Sequence, residues 1–143
     1  MRTGSPVVIR VITKQLLPLI LLFGLYVQFH GDYGPGGGFQ AGVIFAAGIV
    51  LYAMVFGIDA AAKVVPRRVL LRLAPLGVLI YAGTGLYGLI NGAAFLDYNA
   101  LDPAHPSHGQ HLGLLLIEFG VGLTVTSTML LLFYTFAQRR PPR

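Results

Sequence analysis

Four apolar runs separated by polar connectors constrain this chain more than any other feature. They fall at about residues 8–29, 39–57, 73–91 and 112–136. Each is close to the roughly 20 residues that carry an α-helix across a bilayer. In hydrocarbon every backbone N–H and C=O must be satisfied within its own segment, which leaves helices as the form such runs can take. Composition agrees. Of 143 residues, 55% are hydrophobic and 10% charged, where a soluble domain carries about 25% charged residues. The expected fold is an all-α integral membrane protein, one four-helix membrane domain over residues 1–143.

The charges orient it. All ten Lys and Arg residues flank alternate connectors. Arg2, Arg10 and Lys14 stand before or at the start of the first span. Lys63, Arg67, Arg68 and Arg72 lie between the second and third, and Arg139, Arg140 and Arg143 follow the fourth. The other two connectors carry none. Cytoplasmic loops collect Lys and Arg, so both termini are expected in the cytoplasm of a multi-pass cell (inner) membrane protein. This placement accounts for the net charge of +5 without nucleic acid as a partner. The basic start followed by an apolar run has the look of a signal peptide. No small-x-small cleavage site follows and three more spans do, so the first span reads as an uncleaved helix, with Pro18 as a candidate kink. Arg10 and Lys14 fall inside its first turns, where their stems can snorkel to the headgroups.

Between the first two spans stands His30-Gly31-Asp32-Tyr33-Gly34-Pro35-Gly36-Gly37-Gly38-Phe39. Pro35 lacks a backbone N–H, and each glycine disfavours a helix by roughly 1 kcal/mol, so this stretch joins helices rather than continuing one. Its bare backbone must meet water or protein. It is either a solvated turn or a loop packed into protein that lines a polar route. The run Gly34, Pro35, Gly36, Gly37, Gly38, Phe39 is not a P-loop, because the Gly-Lys-Ser/Thr ending and the preceding strand are missing. No Ser/His/Asp constellation is visible and there are no cysteines. The chain is read as no enzyme, with no cofactor.

Glu118 is the one carboxylate inside an apolar span. An ionised acid there costs a few kcal/mol, so it is expected to face protein or water and to be neutral or paired with a cation. It either takes part in an ion or proton route or makes a structural hydrogen bond. His111, Glu118, Gly122 and Thr126 share one helical face. On the third span Tyr81 and Thr84 lie on a glycine-rich stripe with Gly77, Gly85 and Gly88. They are candidates for the same route, although bonds to neighbouring helices explain them as well. Gly42 and Ala46 form a small-xxx-small pair suited to close helix packing. In the loop before the last span, His108 and His111 stand at i, i+3 with Asp102 and His105 nearby, a spacing seen in zinc sites. The absence of cysteine and the Pro-broken loop argue against a metal, and a solvated loop that hydrogen-bonds a partner is the expectation.

Two stretches carry a family resemblance. Gly34-Pro35-Gly36-Gly37-Gly38-Phe39-Gln40-Ala41-Gly42-Val43-Ile44 is the first. The second is Gly109-Gln110-His111-Leu112-Gly113 followed by Ile117-Glu118-Phe119-Gly120-Val121-Gly122-Leu123-Thr124-Val125. Together they resemble the B component of the multisubunit Mrp-type (Mnh/Pha-type) cation/proton antiporters, over nearly the whole chain. The resemblance implies a small subunit of a large membrane assembly that exchanges Na⁺ or K⁺ for H⁺, with other membrane subunits as partners. Those sister subunits carry the main proton-pumping groups. Two alternatives stay open: a purely structural subunit of a hydrogenase- or complex I-like assembly, and a stand-alone small exporter. Small multidrug exporters are shorter and place their key acid in the first helix, whereas here it is in the fourth span.

Overall fold

The protein is described by a computed structural model over residues 6–138, so Arg2, Arg139, Arg140 and Arg143 of the charge pattern lie outside the described residues. Helices α1 (Val7–Phe29), α2 (Gly38–Phe56), α4 (Arg67–Ile90) and α5 (Pro106–Ala137) are each long and apolar enough to cross a membrane. A short helix α3 (Ile58–Val64) and a 3-10 turn (Tyr98–Leu101) complete the elements, and among the described residues there is no strand. The all-α, four-span fold read from the sequence is the observed one.

Helix bounds depart from the hydropathy pattern at two places. α4 starts at Arg67, six residues before the apolar run, because Pro66 stands where a missing N–H costs nothing and Leu70 is buried. α5 starts at Pro106 for the same reason, with proline in its first turn. At 32 residues it is about 48 Å long at 1.5 Å per residue, more than a hydrocarbon core of about 30 Å requires. His108 and His111 stand in its first turns, ahead of the apolar run. α1 and α4 remain continuous through Pro18 and Pro75.

α5 is the central element. It packs against α4 on one side and α2 on the other, and α1 lies along the far side of α2. Glycines set each spacing. A Cβ on Gly42 would stand 2.8 Å from the Gly122 carbonyl oxygen, and one on Gly120 would stand 2.8 Å from that of Gly77. On the α1–α2 seam, Gly48 meets Leu21. Such contacts let backbones approach in lipid, where apolar surface gains nothing by leaving hydrocarbon. The tight core is Ala46, Ala53, Ala61, Leu70, Leu130 and Tyr134. The Tyr134 hydroxyl donates to the Val65 carbonyl at 3.2 Å, holding the α3–α4 corner against α5. Arg10 and Lys14 lie over the Phe56 ring near this corner, at 5.4 and 5.8 Å. The basic residues of α1 and of the α2–α4 connector thus share one end of the bundle. At the opposite end, the rings of Phe95 and Tyr98 fill the space beside Gly85 and Gly113.

Candidate functional site at the glycine-rich loop

The loop between α1 and α2 folds back onto the end of α1. The Gly37 N–H donates to the Val27 carbonyl at 3.0 Å, and the Tyr33 and Gly34 N–H groups donate to the His30 carbonyl at 3.0 and 3.2 Å. Gly37 has φ +116°, a conformation side chains other than hydrogen rarely adopt. A Cβ on Gly36 would come within 2.8 Å of the Val27 carbonyl oxygen. Gly34 and Pro35 form the exposed tip, Gly37 and Gly38 are buried, and Phe39 points outward at the start of α2.

The buried side of this loop rests on Glu118. Gly31 lies directly against the Glu118 carboxylate, and a Cβ on Gly37 would be 3.1 Å from its Oε1. Gly38 abuts the Glu118 backbone carbonyl. The loop is therefore packed into protein rather than free in water, and it covers the acid. Glu118, Gln28, Asp32, Phe29 and Leu115 line a half-open pocket of about 20 Å³, more than the roughly 10–15 Å³ that one water requires. Two carboxylates thus border one small space.

Larger spaces adjoin this cavity. Toward the end of the bundle away from the basic residues, Phe29, Asp32, Tyr33, His111, Leu112 and Leu115 line an open groove of about 420 Å³. Asp32 borders both. Its Oδ2 lies 2.8 Å from Nδ1 of His111, which ties the loop to the exposed first turns of α5. Toward the end of the bundle that carries the basic residues, Gln28 and Phe29 also border a largely apolar cleft of about 420 Å³ that runs past Gly122, Thr126 and Ser127 to Val65 and Leu70. The Thr126 hydroxyl stands 2.7 Å from the Gly122 carbonyl and 3.1 Å from that of Gly42. The Ser127 hydroxyl is buried without a hydrogen-bond partner.

Of the residues singled out from the sequence, His111, Glu118, Thr126 and the glycine-rich loop come together along this series of spaces. Tyr81 and Thr84 do not join them. Thr84 donates to Ile80 of its own helix at 2.9 Å. Tyr81 lines a separate space between α4 and α5 with Gly77, Gly120 and Thr124. It also neighbours Tyr98, whose phenol is pushed above its ordinary value by burial first and by Tyr81 second. Asp32, Gln28 and Ser127 escape sequence reasoning. Asp32 carries one signal, as the lone acid of the glycine-rich loop; Gln28 and Ser127 carry none that distinguishes them from ordinary polar residues in a span.

Comparison with known proteins gives the same assignment as these motifs. Residues 8–131 match the family described as the domain related to the MnhB subunit of Na⁺/H⁺ antiporters. A Staphylococcus epidermidis protein with the provisional name antiporter subunit mnhB2 is 31% identical over 127 residues, covering 87% of this chain and 89% of that one. Its Staphylococcus haemolyticus counterpart is 32% identical over 127 residues, with the same coverage. A Staphylococcus aureus counterpart is 31% identical over 132 residues, covering 85% of this chain and 92% of its own. With its four spanning helices and a match over most of its length, the chain is a multi-pass cell-membrane protein and belongs to the MnhB family of antiporter subunits.

Proposed function

We propose that this chain is a subunit of a multisubunit Na⁺ or K⁺/H⁺ antiporter. In this reading it supports assembly with sister membrane subunits and contributes the junction of the glycine-rich loop and Glu118 to the cation/proton route. The observation that carries the reading is the Glu118 carboxylate lying against Gly31 and Gly37 at a cavity it shares with Asp32. Two carboxylates at one small space repel each other when both are ionised, and uptake of a proton or a cation relieves that repulsion. Exchange of one for the other is the elementary step of an antiporter. His111 and Asp32 form the outer approach, while Gln28, Thr126 and Ser127 offer oxygen atoms on the inner side. Both termini lie in the cytoplasm in this proposal, supported by the absence of Lys and Arg from the connectors after the first and third spans, all ten lying at or beyond the other ends of the spans. The test is Glu118→Gln, which keeps shape and hydrogen bonding but cannot titrate. The variant is expected to assemble yet lose antiport, or shift its pH optimum, in membrane vesicles. Normal antiport at acidic, neutral and alkaline pH by a normally assembled variant would remove Glu118 from the mechanism.

The glycine contacts at every helix seam favour a second reading, in which the chain is purely a scaffold within a related hydrogenase- or complex I-like assembly. In that case Glu118→Gln leaves transport intact, while bulky replacements at the seams break the assembly.

A further inference from the structure

Away from the Glu118 site, the turn that leads into α5 gathers three side chains with metal-binding atoms. Asp102, His105 and His108 each offer one such atom, and the three atoms lie within 4.8 Å of one another. Both histidines address the same oxygen. Nδ1 of His105 is 3.8 Å and Nδ1 of His108 is 3.9 Å from Asp102 Oδ2. The two imidazole rings face each other at an interplanar angle of 28°, with centroids 5.4 Å apart. We propose that Asp102, His105 and His108 form a binding site for a divalent transition-metal ion of the Zn²⁺, Ni²⁺ or Cu²⁺ class, at the end of the bundle opposite the Lys- and Arg-bearing connectors.

The local fold holds the three in place. The His105 N–H donates to Asp102 Oδ1 at 3.1 Å, which fixes the carboxylate and turns Oδ2 toward the imidazoles. Pro106 opens α5 immediately after His105, and the His108 N–H donates to the His105 carbonyl at 3.0 Å, so the two rings issue from one helical turn. The Pro-broken loop, which from sequence argued against a metal, is what brings them together: the proline starts the helix instead of interrupting it. Asp102 follows the 3-10 turn, whose Tyr98 ring is packed against Gly113 and whose Tyr98 carbonyl would stand 2.6 Å from a Cβ on Gly109. Both halves of the site are thus anchored to the same stretch of α5.

The donor set selects the class of ion. Two imidazole nitrogens and one carboxylate oxygen suit Zn²⁺, Ni²⁺ and Cu²⁺. Mg²⁺ and Ca²⁺ favour oxygen ligands, and the transported alkali cations gain little from imidazole. Zn–N bonds of about 2.0–2.1 Å in a tetrahedral shell bring ligand atoms to about 3.3 Å of one another. The 3.8 and 3.9 Å His–Asp separations, in a set that lies within 4.8 Å overall, close to that by rotation of rings whose side chains are 69% and 74% exposed. Three protein ligands leave a fourth position for water. No Lys or Arg occurs between Arg72 and Arg139, so no basic side chain of this stretch competes for the carboxylate.

The test uses the full-length chain purified in detergent, with Co²⁺ as the spectroscopic probe and Zn²⁺ as its competitor. Wild type should bind one equivalent of Co²⁺ with the visible absorption of a low-coordinate nitrogen–oxygen site, and Zn²⁺ should bleach it. Zn²⁺ should also raise the unfolding temperature, because an ion bound only by the folded state stabilises that state. His105→Ala/His108→Ala should lose both responses, and Asp102→Asn should bind more weakly. His30→Gln should behave as wild type. Absence of both signals in wild type overturns the proposal, as does equal binding by the double histidine variant. Neither readout involves transport, so the result is independent of the antiport assignment.

Discussion

Gly38 and Glu118 meet backbone to backbone: a methyl group on Gly38 would overlap the Glu118 carbonyl oxygen. One residue pair thereby fixes the start of α2 at the level of the acid on α5. Gly31 does the complementary thing from the end of α1, lying against the carboxylate itself. The polar site is shaped by the absence of side chains around Glu118. This geometry separates two kinds of substitution.

Gly38→Ala pushes on backbone, which cannot yield without moving a helix. It should destabilise the fold by about 1–3 kcal/mol, the cost of overpacking a tight contact. Gly31→Ala pushes on the end of a side chain, which can swing away. That variant should keep most of its stability but lose antiport, because the carboxylate leaves the cavity. Gly34→Ala faces only the His30 ring and should change stability by less than about 0.5 kcal/mol. Thermal unfolding in detergent beside vesicle antiport separates the three. Equal stability of Gly38→Ala and Gly34→Ala would contradict the packed loop.

The Asp32–His111 pair, 2.8 Å apart, joins the loop to α5 across 79 residues of sequence. His111 is largely exposed, so the pair is expected to contribute roughly 0.2–1 kcal/mol. A double-mutant cycle of Asp32→Asn and His111→Ala, read as unfolding free energy, should give a coupling in that range. Additive effects would mean that the two side chains do not interact in solution.

Two glycines of α4 make an internal comparison. Gly77 is pressed against Gly120 and Thr124 of α5, while a side chain on Gly83 would meet nothing within 4 Å. Gly77→Leu should prevent folding or assembly. Gly83→Leu should be neutral in the isolated chain, or stabilise it by up to about 1 kcal/mol through helix propensity. Loss of assembly by Gly83→Leu with an unchanged isolated chain would mark that edge of α4 as a contact with a sister subunit. Tolerance of Gly77→Leu in both measurements would refute the α4–α5 seam.

Topology is open to direct labelling, because the chain has no cysteine of its own. Tyr33→Cys and Pro66→Cys put one thiol at each end of the bundle. An impermeant maleimide should reach Tyr33→Cys from outside the cell and Pro66→Cys only from the cytoplasmic side. Labelling of both from one side would reject the four-span orientation.

The four spans, the segregation of charge and the exceptional standing of Glu118 were legible in the amino-acid sequence alone. Each is decided residue by residue against lipid and water: apolar length sets a span, Lys and Arg set its orientation, and a lone acid in a span is costly wherever the helix goes. Helical spacing also grouped His111, Glu118 and Thr126, because one helix fixes its own faces. Spacing within one helix says nothing of what stands opposite. Tyr81 and Thr84 have the same periodic credentials, yet one faces Tyr98 and Gly77 and the other bonds its own helix. Asp32 at His111, Gln28 at the cavity and the unpartnered Ser127 became visible only once α1 and α2 were laid against α5. The gathering of Asp102, His105 and His108 likewise needed the true start of α5 at Pro106, which hydropathy put six residues later. Tertiary structure decided these because they depend on how closely helices approach. Here that distance is set pair by pair: glycine meets backbone where α2 and α4 pack on α5, and meets side chains such as Leu21 between α1 and α2.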